Sequence, residues 1–259
     1  SVKEINETMA IGEKYVEKVK VGGYDGRGVT IKVQSENGYN WIMENFCEEY
    51  VEIEKELSIM IGRNLAGETF MYDPVEMVPN DNHQLDYLVC PARIYDQQIS
   101  TVQTTAKQLA DKMGLVGILA IEFFVSTDNK IYVNEMSPRP HNTAHHTLDC
   151  YRVNQFKLLN YCLTGQSFDG LVLETQRLFD PDAQTVFLTN VIGDRKMTID
   201  MTNINAMKTS FWHDSYNFHF YNKLQNFPTR KLGHITAIMD NNSDLMHSNV
   251  AFRMKHAIQ

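Results

Sequence analysis

The feature that most constrains the fold of this chain is a glutamate inside its most apolar run. Glu122 follows Leu115–Ile121, a stretch of glycine and aliphatic residues that belongs in a protein core. An unpaired carboxylate in such surroundings costs several kcal/mol, so it must be compensated or protonated. A second apolar and aromatic run, Lys130–Met136, follows the polar pair Asp128-Asn129. The two runs predict an antiparallel hairpin closed by a tight turn.

The register of this hairpin brings a second glutamate opposite the first. A two-residue loop that pairs Thr127 with Lys130, and equally a four-residue loop, places Glu122 opposite Glu135. Opposed side chains have Cβ atoms about 4.5–5.5 Å apart, where like charges repel. The pair therefore requires a divalent cation or one raised pKa, and oxygen ligands favour Mg²⁺. The alternative is a register shifted by one residue, with one glutamate in solvent and the other bonded to an arginine such as Arg139.

A glycine-rich segment near the start of the chain is a second candidate site. Gly22–Gly28 contains four glycines, and Lys18 and Lys20 precede it. Exposed backbone amides in such a loop suit phosphate oxygens, and the lysines supply positive charge. Asp25-Gly26 is equally the signal of an ordinary hairpin turn. The segment matches neither G-x-G-x-x-G nor G-x-x-x-x-G-K-[ST], so Rossmann and P-loop phosphate sites are not supported.

The remaining pattern indicates the α+β class with mostly antiparallel sheet. The predicted elements are two strands around a glycine-rich turn within Val16–Val33, a helix near Ser35–Phe46, a strand over Val51–Ile61, a helix capped by Ser100 and closed by Gly114, a helix over Arg152–Leu163 that ends before Gly165, strands at Thr185–Ile192, Ser215–Tyr221 and Leu232–Met239, and a short helical tail.

Composition limits the classes of partner. The 24 lysines and arginines face 32 aspartates and glutamates, so the net charge of −8 argues against nucleic acid or an anionic membrane as partner. Gly114–Val125, the most apolar run, is shorter than the roughly 18 residues that a membrane span needs. The four cysteines form no C-x-x-C pair, and the first residues lack a signal-peptide pattern. A soluble, cytoplasmic protein with reduced thiols is expected.

Three motifs together resemble the ATP-grasp ligases, and among them the 5-(carboxyamino)imidazole ribonucleotide synthetase family. A lysine precedes the Gly-Gly-Tyr-Asp-Gly-Arg-Gly loop, an acidic segment follows at Glu48–Val51 with Glu56 beyond it, and Glu122 precedes Asn134–Asn142. Tyr221-x-Lys223 and Thr229–His234 also fit, so the likeness covers nearly all 259 residues. It implies an ATP-grasp fold of two α+β lobes with the nucleotide between them, followed by a small β-rich C-terminal domain. The expected boundaries are 1–50, 51–168 and 169–259.

The resemblance also implies a nucleotide site and its cofactors, ATP and Mg²⁺. In it Lys18 contacts the phosphates, Gly22, Gly23, Gly26 and Gly28 cover them, Glu48, Glu49, Tyr50 and Val51 line the adenine, Glu56 takes the ribose, His83 and Asn134 adjoin the nucleotide, and Glu122 and Glu135 hold the metal.

The implied reaction is the ATP-dependent carboxylation of 5-aminoimidazole ribonucleotide with bicarbonate, through carboxyphosphate, in purine biosynthesis. The residues implied to contact the ribonucleotide or bicarbonate are Tyr24, Arg27, Arg139, Arg230 and Lys231. Asp25, His141 and Lys223 are expected to orient and deprotonate the amine. A homodimer is compatible with the resemblance.

Some features depart from the family pattern. The family carries a Rossmann-like domain before this region, and nothing in the chain corresponds to it. Thr143-Ala144-His145 stands where Ser-Gly-His is usual, so the backbone near Asn142 is expected to differ. Three alternatives remain: another ATP-grasp enzyme such as the formate-dependent glycinamide ribonucleotide transformylase, a non-catalytic ATP·Mg²⁺ binding module, and a metallohydrolase that uses His141, His145 and His146.

Overall fold

Two antiparallel sheets make up the described part of the computed structural model, which comprises residues 12–23, 28–34, 45–80, 84–193, 216–223 and 230–241. The smaller sheet has the order β2-β1-β3, with β1 at Lys14–Val19, β2 at Val29–Val33 and β3 at Asn45–Glu49. The predicted strands around the glycine-rich turn are thus confirmed. The helix predicted up to Phe46 is wrong at its end, because β3 pairs there with β1, and residues 35–44 lie outside the described part.

The larger sheet has nine strands in the order β11-β12-β10-β7-β6-β4-β8-β9, and β5 pairs with β4. Its strands are β4 at Ile53–Arg63, β5 at Thr69–Met71, β6 at Val75–Pro79, β7 at Leu85–Cys90, β8 at Gly117–Ser126, β9 at Ile131–Ser137, β10 at Gln184–Ile192, β11 at Tyr216–Phe220 and β12 at Lys231–Asp240. The predicted strands in these regions are confirmed. The short helical tail lies outside the described residues.

Strand β4 separates two halves of the core because its side chains alternate between the two faces of the sheet. On one face Leu57, Ile59 and Ile61 pack in the same cluster as Val102 and Ala106 of helix α1 (Asp96–Lys112). Helix α1 begins four residues before Ser100, so the predicted N-cap is wrong. The Gln98 side chain accepts the Tyr95 N–H at 3.0 Å instead, and the predicted stop at Gly114 is confirmed by its φ of +58°.

On the other face of β4 lies helix α3 (Gln155–Thr164), preceded by the short helix α2 (Thr147–Cys150). The Asn154 side chain caps α3, so the helix begins three residues after the predicted Arg152. The close approach of α3 to the sheet requires a glycine on β4. A Cβ on Gly62 would lie 2.7 Å from Cγ of Leu158, closer than such atoms come.

The segment that follows the predicted boundary at 168/169 is tied to the sheet. It contains the short helix α4 (Leu173–Gln176), and Arg177 directly after it pairs with the buried carboxylate of Asp73. The Tyr151 hydroxyl donates to the same carboxylate at 2.7 Å. Strand β10 then pairs with β7, so the C-terminal strands extend the large sheet. The boundary at 168/169 stays a prediction. Among the described residues, no helix is long and apolar enough to cross a membrane.

Candidate active site

The β8–β9 hairpin places Glu122 directly opposite Glu135, as the sequence predicts. The route to that register is different, however. The loop has three residues and ends at Asn129 in the left-handed region (φ +62°), so Val125 pairs with Ile131. This shifts the pairing near the turn by one residue from the predicted one. A β-bulge between Glu122 and Phe123 then restores the predicted pair of glutamates.

The two carboxylates lie at a surface rather than inside the core. The Glu122 side chain is 17% exposed, and Glu135 is exposed. One ligand atom from each of them and from His141 all lie within 4.8 Å of one another. The shifted register with an arginine partner is therefore wrong, and Arg139 donates to the Pro140 carbonyl instead. Two carboxylates in this arrangement fit Mg²⁺, which prefers oxygen ligands and keeps open positions for phosphate.

Lys18 joins the small sheet to this hairpin. Its Nζ donates to Asn134 Oδ1 at 2.9 Å and lies 2.5 Å from Glu48 Oε2. Asn134 lies in the bulged segment of β9, next to Glu135. A cation of the small sheet is thus bonded to the neighbour of Glu135 in the large sheet. Glu48 contributes its side chain to this ion pair, whereas the resemblance assigns it to the lining of the adenine site.

The other predicted nucleotide residues of the described part lie on β4 and at the end of β3. Glu56 lies on β4 two positions before Ser58, and Ser58 pairs with Glu122, so these side chains share one face of the sheet. Glu49 is the last residue of β3, Tyr50 and Val51 follow it, and Lys14 Nζ lies 4.9 Å from the centre of the Tyr50 ring.

The described ends of the glycine-rich loop have the backbone that glycine permits. Gly22 and Gly28 have φ values of +81° and +84°, and Gly23 is exposed. A Cβ on Gly28 would lie 2.4 Å from Val19 Cγ2, so this end of the loop also needs glycine sterically. The predicted site residues that lie outside the described part are Tyr24, Asp25, Gly26, Arg27 and His83.

His141 is held by buried residues that the sequence did not reveal as functional. Its backbone N–H donates to Gln155 Oε1 at 2.8 Å, and its carbonyl accepts from Gln155 Nε2 at 3.1 Å. Its Nδ1 lies 2.9 Å from Thr143 Oγ1, which in turn lies 2.8 Å from Ser58 Oγ. Its Nε2 is 3.8 Å from Glu122 Oε1. The one signal that could have indicated Ser58 is its position as a polar residue inside the apolar run of β4.

The backbone around His141 tolerates the departure from Ser-Gly-His. Ala144 lies in a 3-10 turn, Asn142–Ala144, and it is not among the described residues with positive φ. Glycine's additional conformational freedom is therefore not needed at this position. Asn142 donates to Asn190 Oδ1 at 3.1 Å, which links the turn to β10.

The predicted cations of the C-terminal region lie around the start of β12. Lys223 Nζ donates to the Lys231 carbonyl at 2.6 Å, and it lies 5.1 Å from the centre of the Tyr221 ring. Arg230 directly precedes β12, and its carbonyl accepts from the Gly193 N–H at 2.7 Å.

Burial lowers the pKa of His145 to about 4, and the positive charges of His219 and Lys231 add to this effect.

A second group of potential ligand atoms comes from Asp149, His219 and His234. These three residues together with His145 are called the histidine stack. His219 Nε2 lies 3.0 Å from both Asp149 oxygens, and the rings of His219 and His234 stack with centroids 4.5 Å apart. His145 stacks on the other side at 5.1 Å. Burial, with the neighbouring histidines, lowers the pKa of His234 to about 2. The Tyr221 hydroxyl lies 2.7 Å from His234 Nδ1.

Two parts of the chain match models of known protein families. Residues 2–156 match the model of the ATP-grasp domain, and residues 187–248 match that of the phosphoribosylaminoimidazole carboxylase C-terminal domain. The β8–β9 hairpin with its paired glutamates, Lys18 and His141 all lie within the first match.

Relatives and solved structures agree with these matches. An N5-carboxyaminoimidazole ribonucleotide synthase of Staphylococcus epidermidis is 28% identical over 235 residues, which are 89% of this chain and 58% of that protein. A phosphoribosylaminoimidazole carboxylase of Candida albicans is 29% identical over 93% of this chain and 42% of its own length.

An N5-carboxyaminoimidazole ribonucleotide synthetase solved as an ADP complex superposes with a TM-score of 0.76 at 27% identity, covering 99% of this chain and 63% of that one. The chain thus spans less than two thirds of each of these three relatives. With a fold of two antiparallel sheets, a lysine of one sheet bonded to the asparagine beside the paired glutamates of the other, and a family model that covers residues 2–156, this chain belongs to the ATP-grasp family.

Proposed function

We propose that this chain belongs to an enzyme that carboxylates 5-aminoimidazole ribonucleotide with bicarbonate at the expense of ATP. The products are 5-(carboxyamino)imidazole ribonucleotide, ADP and phosphate, within purine biosynthesis. The observation that carries the proposal is the pairing of Glu122 with Glu135 beside His141, with Lys18 and Asn134 at the same edge. The names of the relatives support the choice of substrate.

In the first step the γ-phosphoryl group of ATP moves to a bicarbonate oxygen, which gives carboxyphosphate and ADP. Lys18 binds the phosphate oxygens in place of its present contacts with Asn134 and Glu48. Glu122 and Glu135 would hold Mg²⁺, which when bound would neutralise the charge on the transferred group. Gly22–Gly28 closes over the phosphates and excludes water, because carboxyphosphate hydrolyses readily.

In the second step the exocyclic amine of the imidazole bonds to the carboxyl carbon, or to released CO₂, and phosphate leaves. The amine loses one proton, and Asp25 takes it while His141 and Lys223 orient the reacting groups. In an acidic chain, a compact positive cluster is needed to bind the ribonucleotide phosphate and the bicarbonate. The cations of this cluster are Arg27, Arg139, Arg230 and Lys231, and Tyr24 contributes a hydroxyl.

We propose a cytoplasmic location, which the four free thiols, three of them buried, support. Purine precursors and ATP are available in that compartment, and reduced thiols persist there.

The test measures ADP release by the purified chain with ATP, Mg²⁺, bicarbonate and 5-aminoimidazole ribonucleotide, omitting one component at a time. We expect release to need both bicarbonate and the ribonucleotide. Release with formate and glycinamide ribonucleotide instead would identify the transformylase alternative. Binding of ATP·Mg²⁺ by calorimetry without any turnover would identify a binding module and contradict the proposal.

A further inference from the structure

Two buried hydroxyl groups lie directly behind the ring of His141. Ser58 and Thr143 are 1% and 4% exposed, and their oxygens are 2.8 Å apart. Thr143 Oγ1 also lies 2.9 Å from His141 Nδ1. The result is a continuous chain of hydrogen bonds from strand β4 to the imidazole. Ser58 stands opposite Glu122 in the sheet, so both ends of the chain adjoin the paired glutamates.

The position of the His141 backbone is fixed separately. The fully buried Gln155 accepts from the His141 N–H and donates to its carbonyl, at 2.8 and 3.1 Å. Gln155 is held in turn by Thr147, whose Oγ1 accepts a hydrogen bond from the Gln155 backbone N–H at 3.1 Å. With the backbone held in this way, the bond at Nδ1 determines how the ring is oriented and which nitrogen carries the proton.

The direction of the hydroxyl chain follows from counting protons. Among the described residues, Thr143 is the one hydrogen-bond partner of the Ser58 side chain. If His141 Nδ1–H donated to Thr143, only one of the two hydroxyl protons could go to the other hydroxyl, and the remaining one would have no acceptor among the described residues. If Ser58 donates to Thr143 and Thr143 donates to Nδ1, both hydroxyl protons have an acceptor. A buried donor without a partner costs about 1–3 kcal/mol, so the second direction is favoured.

We propose that Thr143, supported by Ser58, is a positioning residue that keeps His141 in the tautomer protonated at Nε2. This inference rests on the proposed function and assigns His141 a specific part in it. His141 Nε2 lies 3.8 Å from Glu122 Oε1, so a proton on Nε2 lies on the side of the ring nearest the paired glutamates. In this tautomer His141 donates a hydrogen bond to a carboxyl oxygen of the substrate, and it has no free ring nitrogen with which to take the amine proton.

The first test is spectroscopic and needs no substrate. Histidine labelled with ¹⁵N distinguishes a protonated nitrogen from an unprotonated one, and His141→Asn identifies the signals of His141. At pH 8 we expect one tautomer, protonated at Nε2, in the unaltered chain and in Thr143→Ser. Thr143→Val keeps the shape but removes the hydroxyl, so we expect a mixture of tautomers. A proton at Nδ1 in the unaltered chain, or an unchanged spectrum in Thr143→Val, would overturn the proposal.

The second test is kinetic and separates positioning from folding. We expect Thr143→Val to lower kcat of carboxylation about 10- to 100-fold with little change in KM for ATP, and Thr143→Ser to restore most of it. Ser58→Ala, which leaves Thr143 in place, should give a smaller loss, and thermal unfolding of each variant shows whether it folds.

The two tests distinguish two kinds of failure. If the unaltered chain does not carboxylate the imidazole but shows the hydroxyl-dependent tautomer, the proposed function fails while the positioning role stands. If it carboxylates and Thr143→Val behaves identically in both tests, the positioning role is wrong.

Discussion

Among the described residues, two groups of side chains bring potential metal ligands within 4.8 Å of one another, and they have opposite characters. Glu122, Glu135 and His141 combine two carboxylates with partial exposure to solvent. The histidine stack contains one carboxylate, Asp149, which is occupied by a hydrogen bond from His219. The first group carries excess negative charge that a cation would relieve, whereas the one carboxylate of the second is already paired with His219.

Ring orientation reinforces this difference. The His219 and His234 rings are nearly parallel, at an interplanar angle of 17°. The lone pairs of the two rings lie in nearly parallel planes, so they do not converge on one ion unless a ring turns. Proximity of ligand atoms is therefore insufficient for a metal site. Unbalanced charge and convergent lone pairs are also required, and the hairpin glutamates supply the charge.

The largest expected effect comes from removing one carboxylate of the first group. Glu122→Gln should lower nucleotide turnover more than about 100-fold, since one of two metal-binding carboxylates is lost. Without metal its stability should stay equal or rise by up to about 1 kcal/mol, because like charges opposed across strands repel. Turnover is measured as ADP release in the presence of Mg²⁺, and stability is measured by urea unfolding in its absence.

Glu54→Gln provides the matched control, since Glu54 is an exposed glutamate at the start of β4. It should change neither quantity. If Glu122→Gln kept full turnover, or if it lost stability in the absence of metal, the two groups would not differ in the way described.

The next effect concerns acid pH and the histidines behind the site. Burial lowers the pKa of His145 and of His146 to about 4, below the ordinary 6.5. As the pH falls, the unfolded chain therefore takes up protons before the folded chain does. Stability is full above about pH 6.5 and decreases down to about pH 4, by roughly 3 kcal/mol for each histidine.

Urea unfolding at pH 7 and pH 5 measures this loss. His146→Asn keeps a donor for the Thr143 carbonyl, which His146 Nδ1 contacts at 3.1 Å, but removes the titrating group. The variant should lose less stability between the two pH values than the unaltered chain. An equal loss in both would show that carboxylates rather than buried histidines cause the acid sensitivity.

The smallest effect is expected within the histidine stack itself. Asp149→Ala deprives His219 of its acceptor and should cost about 1–3 kcal/mol of stability, while ATP·Mg²⁺ binding stays the same. Asp169→Ala, at an exposed aspartate, is the control and should cost little. Added Zn²⁺ should not raise the melting temperature. Stoichiometric zinc binding that Asp149→Ala abolishes would make the stack a metal site after all.

Prediction from sequence succeeded where a pattern is local. Alternation identified β4, the turn at Asp128-Asn129 identified the hairpin, and Gly114 and Gly165 marked the ends of two helices. It failed at the start of α1, because a glutamine cap is a weaker signal than the serine that was chosen. It also placed the hairpin register one residue away near the turn, because neither a three-residue loop nor a bulge follows from residue types alone.

By itself the sequence determined that two glutamates stand on adjoining strands of a hairpin and that a lysine precedes a glycine-rich loop. Those features depend on contacts between neighbours in the chain. Only the tertiary structure decided that Lys18 meets Asn134, 116 positions away, and that Ser58 and Thr143 support His141. Such contacts depend on how sheets and helices pack, since a hydroxyl group acquires its role from the partner that packing brings to it.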